Sequence, residues 1–326
     1  HLKGNQLIQE LEFYLCKFNQ GVLSNLVKTI KTIPNLKKLT FKSSYSGDKT
    51  HFTTILKEIK NPSLRTLEVS DEKFQTKELI SFAQGINHFK TLTSLNLDFY
   101  HCIEITDKGL ASLASEGLKH LPSLTSLKLI FQGCRSFTDK GLIALFSDGF
   151  KHLPSLTSLE LNFHWCSKLT DKSLHALWSE GLKNLNQLKS FNLDFSLNFQ
   201  IRDQGFETLS YERIKHLTSL TSLSLNFSGA GRLADKSLHS LSSQWIRHLT
   251  SLTSFSLDFH ERRVITDQGF KALCSEGINH LTSLTSLKLN FSQCEKLTDE
   301  SLNFLGSQVL RNLTSLTILN LQFDWC

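Results

Sequence analysis

The sequence predicts an α/β solenoid, with a parallel sheet on a concave face and helices on the convex face. Three observations carry this. The stretch Leu284-Thr285-Ser286-Leu287-Lys288-Leu289-Asn290-Phe291 recurs, lightly varied, with starts at Leu92, Leu124, Leu156, Leu188, Leu220, Leu252, Leu284 and Leu316, always 32 residues apart. A fixed period of that length marks stacked supersecondary units. Within the stretch, Leu287, Leu289 and Phe291 alternate with Lys288 and Asn290, the period-2 pattern of a strand buried on one face. Between the copies, apolar residues fall at helical spacing.

The first third repeats at a shorter spacing. Ile8-Gln9-Glu10-Leu11-Glu12-Phe13, Leu36-Lys37-Lys38-Leu39-Thr40-Phe41 and Leu64-Arg65-Thr66-Leu67-Glu68-Val69 start 28 residues apart, and Leu92 follows 28 after Leu64. That makes eleven strands. Val22, Leu23, Leu26, Val27 and Ile30, then Phe52, Leu56 and Ile59, then Leu79, Phe82 and Ile86 mark the helices between them. Residues 1–91 therefore read as degenerate 28-residue repeats and 92–326 as regular 32-residue repeats of one elongated domain. The chain has no Met, begins at His1 and ends at Cys326 just past a strand, so a piece of a longer protein is expected.

In the 32-residue unit, Ile105-Thr106-Asp107-Lys108-Gly109-Leu110 reads as an N-cap followed by a helix. The helix aligns Leu110, Leu113, Leu118 and Leu121, matched by Leu142, Leu145, Phe150 and Leu153, and by Phe270, Leu273, Ile278 and Leu281. Lys119, Lys151, Lys183, Lys215, Arg247 and Arg311 sit near helix ends, where a cation offsets the dipole. Pro122 and Pro154 stop the helix before the next strand. The row Phe99, Phe131, Phe163, Phe195, Phe227, Phe259, Phe291 and Phe323 is expected inside, as an aromatic spine that lengthens each strand by one pleat.

Leu-x-x-Leu-x-Leu, then Cys, then Ile/Leu-Thr-Asp-x-Gly/Ser-Leu-x-x-Leu resembles leucine-rich repeats of the cysteine-containing subfamily. The fullest copies are Leu92–Leu113 with Cys102, Leu124–Leu145 with Cys134, Leu156–Leu177 with Cys166 and Leu284–Leu305 with Cys294. The 28-residue units resemble the ribonuclease-inhibitor type. The resemblance implies a horseshoe that binds protein. It also implies, as an alternative, the substrate-recognition subunit of an F-box-type ubiquitin ligase, although no F-box is visible in this chain.

Composition narrows the function. The net charge of +6 arises within residues 1–91, where 14 Lys and Arg face 8 Asp and Glu; clusters such as Lys37-Lys38 form a weak basic patch, and nucleic acid is not the expected partner. Of seven cysteines, Cys102, Cys134, Cys166, Cys294 and Cys326 share one repeat position while Cys16 and Cys274 do not. An odd count without Cys-x-x-Cys argues for buried free thiols and a reducing, cytoplasmic setting. At strand spacing, Cys102 and Cys134 remain within reach of one another. Asn226, Asn290 and Asn312 open formal glycosylation triplets of the sort such repeats produce by chance. No apolar run is long enough to span a membrane.

No catalytic motif, metal-ligand spacing or cofactor loop is present, so a non-catalytic scaffold without cofactor or metal is expected. Asp98, Ile130, Asn162, Asp194, Asn226, Asp258, Asn290 and Gln322 form a monotonous polar floor, read as structural ladders. The repeats differ most in the five residues after each Phe. Specificity is therefore expected at that rim, at Tyr100, His101, His164, Trp165, His260, Arg262 and Trp325, residue types suited to concentrated contacts.

Overall fold

The computed structural model describes residues 7–15, 20–31, 33–43, 56–59 and 61–326. Cys16 and Phe52, and the side chains of Val22, Leu23 and Leu26, lie outside the described residues. The chain divides into two units, residues 1–156 and 157–326. The first holds β1 (Glu10–Leu15), β2 (Lys38–Ser43), β3 (Thr66–Asp71), β4 (Ser94–Asp98) and β5 (Ser126–Ile130). The second holds β6 (Ser158–Asn162), β7 (Ser190–Asp194), β8 (Ser222–Asn226), β9 (Ser254–Asp258), β10 (Ser286–Asn290) and β11 (Ile318–Gln322).

Within each unit, consecutive strands pair in parallel and in register with the repeat. Glu10 faces Lys38, Lys38 faces Thr66 and Thr66 faces Ser94, each one 28-residue period on. Ser190 faces Ser222 and Ser222 faces Ser254 at the 32-residue period. Strand followed by helical segment, with parallel pairing, is the α/β leucine-rich-repeat architecture that the sequence predicts. The Thr of the Leu-Thr-Ser-Leu stretch supports the register. The hydroxyls of Thr253, Thr285 and Thr317 donate to the carbonyls of Thr221, Thr253 and Thr285 at 3.0–3.1 Å.

The Phe row is interior: Phe99, Phe131, Phe163, Phe195, Phe227, Phe259 and Phe291 are fully buried. Ring centroids stand 5.7 Å apart for Phe99 and Phe131. They stand 5.2–6.4 Å apart for successive rings from Phe163 to Phe323. The regular strand stops one residue before each Phe, but the ladder runs on, since Phe99 N–H donates to the Ile130 carbonyl at 2.8 Å and Phe195 N–H to that of Asn226 at 2.9 Å.

The helical segment is not one α-helix. Residues Asp107–Ser112 are α-helical, Leu113–Gly117 form a π turn and Leu118–His120 a 3-10 turn, a succession repeated at Asp139–His152 and Asp267–His280. The apolar spacing requires this. Leu113 and Leu118 are five residues apart, too far for one face of an α-helix, and the wider π turn brings both inside. Leu110, Leu113, Leu118 and Leu121 are all fully buried. Residues 204–214 differ, with two short helices, Gln204–Glu207 and Tyr211–Ile214. From the two repeats flanking them, Trp178 and Trp245 meet at 5.3 Å.

Asp107 and its counterparts do more than open their own helices. The Asp107 carboxylate accepts from Thr138 N–H (2.7 Å), the Thr138 hydroxyl (2.9 Å) and Gly141 N–H (3.0 Å) of the next repeat. A Cβ at Gly141 would lie 2.8 Å from that carboxylate. Where Ser replaces Gly, its hydroxyl donates instead, as Ser301 does to Asp267 at 2.5 Å. Burial would raise the Asp267 carboxyl, but hydrogen bonds from Ser301 and from the Thr298 backbone and hydroxyl outweigh it and hold the group below its ordinary value.

Two outcomes are expected. Phe227→Ala should lose about 3–5 kcal/mol in urea denaturation; a loss below about 1 kcal/mol would place the row outside. Because its folded-state pKa is depressed, the contribution of Asp267 is complete above the unfolded value of about 3.9 and disappears as pH falls through the folded value. Asp267→Asn should therefore flatten the acid limb of a pH–stability profile.

Candidate functional site

After each strand the chain must turn toward the helical layer while its N–H groups remain bonded. The last polar strand residue begins the turn. The side-chain oxygen of Asn162 accepts His164 N–H at 2.9 Å, that of Asp194 accepts Ser196 N–H at 2.8 Å, and that of Asp258 accepts His260 N–H at 2.9 Å. Such turns explain the polar floor as structural. The remaining oxygens link repeats, with Asn226 Nδ2 donating to Asp194 at 3.1 Å and Asn290 Nδ2 to Asp258 at 2.9 Å.

Two residues past each Phe the backbone is left-handed. His101, Trp165, Leu197, Glu261, Gln293 and Trp325 have φ between 55° and 67°, and Gly133 and Gly229 occupy the same position at 72° and 57°. This conformation directs N–H to the next repeat. Trp165 donates to the Ser196 carbonyl at 2.9 Å, Leu197 to that of Ser228 at 2.8 Å and Glu261 to that of Ser292 at 2.8 Å. It also returns the following residue to the core, where Cys134 Sγ donates to the Phe99 carbonyl at 3.1 Å and Cys294 Sγ to that of Phe259 at 3.4 Å. Asn198, standing in the cysteine position, donates to the Phe163 carbonyl at 2.8 Å and to that of Phe195 at 2.9 Å. The second bond supplies a donor that Ala230 lacks. Cys102, Cys134, Cys166, Cys274 and Cys294 are free and buried, and Cys326 is exposed. Burial pushes the Cys274 and Cys294 thiols up to about 12.

In the first unit the structure brings Tyr100 and His101 together, their rings 4.3 Å apart. Both line a groove of about 800 Å³ with Lys73, Gln75, Ile103 and Glu104. The His101 ring also lies across the next turn, 2.7 Å from where a Cβ on Gly133 would stand. In the second unit, Trp165 is half-buried and Trp325 is 84% exposed. His164 Nδ1 contacts Ser196 Oγ at 2.6 Å, and that hydroxyl donates to Asp194 at 2.5 Å. The serine proton thus points at the carboxylate rather than at the imidazole, and Ser196 is buried. These contacts fix the turn between the two repeats.

Arg262 corrects the sequence expectation of an outward contact residue. It occupies the cysteine position, is only 5% exposed, and its guanidinium donates to the carbonyls of Gly231 at 2.6 Å and His260 at 3.3 Å. Desolvation lowers it to about 10, still a full cation at neutral pH. Sequence reasoning passed over Ile103, Phe199 and Val264, which are 58%, 60% and 43% exposed in these turns. The signal was an apolar residue four or five places after Phe, where other repeats carry Arg, Ser or Gly.

No family model matches the chain, and no curated protein does. Among solved structures, it is similar to a chain in the crystal structure of the Rad7 and Elc1 complex in yeast, at 18% identity and a TM-score of 0.48 over 90% of this chain and 72% of that one. It is also similar to leiomodin-1 actin-binding site 2, at 19% identity and a TM-score of 0.35 over 46% of this chain and 82% of that one. Among the described residues, no helix is long and apolar enough to cross a membrane.

Arg262→Ala should lower stability by about 1–3 kcal/mol, since two buried carbonyls lose their donor. A melting temperature equal to that of the parent chain would return Arg262 to the surface.

Proposed function

We propose that the chain is a non-catalytic scaffold that captures a protein partner on the turns after its strands. The observation that carries this reading is the left-handed position. Gly133 and Gly229 show that glycine suits it, yet six repeats place a larger residue there. A non-glycine residue at such φ costs of the order of 1 kcal/mol. Strain retained at successive turns is what a surface used for recognition leads one to expect. Aromatic side chains held at fixed spacing on a rigid ladder supply concentrated contacts.

Tyr100, His101 and the groove beside them form the first-unit part of this surface; His164, Trp165, His260 and Trp325 belong to the second-unit part. Arg262 supports the surface from beneath. The position shared by Cys102, Cys134, Cys166, Cys294 and Cys326 favours the cysteine-containing type of leucine-rich repeat. Thiols raised by burial suit a reducing cytoplasm.

The test is a captured partner whose affinity is compared across variants. Trp165→Gly and His101→Gly should each weaken binding about tenfold or more while the melting temperature holds or rises. Lys183→Ala, on an exposed helix end, should leave affinity unchanged. Loss of binding from Lys183→Ala with none from the turn variants would place the interface on the helical side.

A further inference from the structure

The turn Ser228-Gly229-Ala230-Gly231 carries the smallest side chains of any in the second unit. It is also pressed against the turn before it, since a Cβ on Gly231 would stand 2.1 Å from the Ile201 carbonyl oxygen. Ala230 points into the core, so the outer surface between the Phe199 and Arg263 turns is bare. Phe199 stands on one side of this notch and Val264 on the other, both exposed.

Beneath the notch lies a buried cation. Arg262 spends Nε and Nη1 on backbone carbonyls. Among the described residues its Nη2 has no hydrogen-bond partner, and it lies 3.8 Å from where a Cβ on Gly229 would be. Among the described residues no carboxylate lies within ion-pair distance of it; Cys294, Glu261 and Asp258 act on it only through the longer-range field. A buried charge left without a counterion is costly. Exposed Arg232 and Arg202 form no ion pair among the described residues either, while Arg263 is bonded to exposed Glu295 at 3.3 Å.

We propose that this notch takes an acidic linear segment of a protein partner, with one carboxylate on Arg262 Nη2 and a neighbouring apolar side chain against Phe199. The inference rests on the protein-binding reading above and names the chemistry of the segment recognised. Two features favour a peptide over a nucleic acid. The cation at the base of the notch is recessed, suited to one carboxylate rather than a phosphate chain, and the flanks carry exposed apolar Phe199 and Val264. Arg232 adds an exposed second contact and long-range attraction, so binding should weaken with salt.

The test uses the full chain and a fluorescein-labelled 12-residue peptide with a central Phe flanked by Asp and Glu, read by fluorescence anisotropy. Three competitors accompany it: the same peptide with Asn and Gln for the acids, the same peptide with Ser for Phe, and a 12-nucleotide oligouridylate. The acidic Phe peptide should bind, the amide version about tenfold or more weakly, the Ser version several-fold more weakly, and the oligouridylate least. Gly229→Asn keeps a residue tolerant of positive φ and covers Nη2, although the Leu197 side chain, 2.3 Å from the new Cβ, must move aside; it should lower affinity about tenfold while the chain still unfolds cooperatively at a somewhat lower temperature, and Arg232→Ser should reduce the salt dependence. Equal binding of the amide peptide, tighter binding of the oligouridylate, or no effect of a folded Gly229→Asn would each overturn the proposal. If Gly229→Asn does not fold, the amide comparison decides alone. Failure of the peptides while Trp165→Gly still weakens partner capture sinks this inference only; insensitivity of capture to Trp165→Gly sinks the reading beneath it.

Discussion

In-register stacking governs this molecule: within each unit, each strand residue sits beside its own equivalent one period away. A residue type chosen once is therefore chosen for a column, and the column must tolerate itself. Threonine does, because its hydroxyl reaches the carbonyl of the threonine before it. Phenylalanine does, by tilted and stacked contacts at 5–6 Å. Aspartate does not. At β7 to β10 it alternates with asparagine, whose amide turns a would-be repulsion into a hydrogen bond. The carboxylates at the helix starts avoid one another differently, each reaching forward to N–H and hydroxyl groups of the following repeat.

The same constraint leaves one place free. At the strand ends the backbone is fixed by turn hydrogen bonds and by left-handed residues, while the side chains there vary from repeat to repeat. His101 leans over Gly133, and Leu197 approaches Gly229 so closely that a Cβ there would come within 2.3 Å of it. Within each unit a bare turn thus stands beside a large one, making relief that a flat floor of Ser and Asn lacks. Structure accounts for the floor, and the edge is where recognition has room to differ from repeat to repeat.

Much of this was legible in the sequence because a fixed period fixes register. The steps of 28 and 32 residues give the strand pairing directly, and the alternation of Leu and Phe gives the buried face. The π turn was legible in principle, as the five-residue step from Leu113 to Leu118, but a helical pattern was read through it. The forward reach of Asp107 was not legible, since its partners lie 31 and 34 residues ahead and Thr-Asp at a helix start reads as an ordinary cap. Arg262 was misplaced because it stands in a variable stretch. Its column, shared with Cys102, Cys134 and Cys294, already marked it as inward. The column His101, Gly133, Trp165, Leu197, Gly229, Glu261, Gln293, Trp325 likewise carried its message in two glycines, which mark a conformation that the other residues adopt under strain.

That strain is the centre of the account, and equilibrium unfolding of one combined variant measures it most directly. Trp165, Glu261 and Gln293 should be replaced together by Gly and the chain unfolded in urea beside the parent. If these residues are held for recognition and not for folding, the midpoint should stay or rise with an unchanged slope. A midpoint that falls by the equivalent of about 2 kcal/mol or more would mean that these side chains hold the repeats together, and the claim that the strand-end edge is kept for a partner would fail.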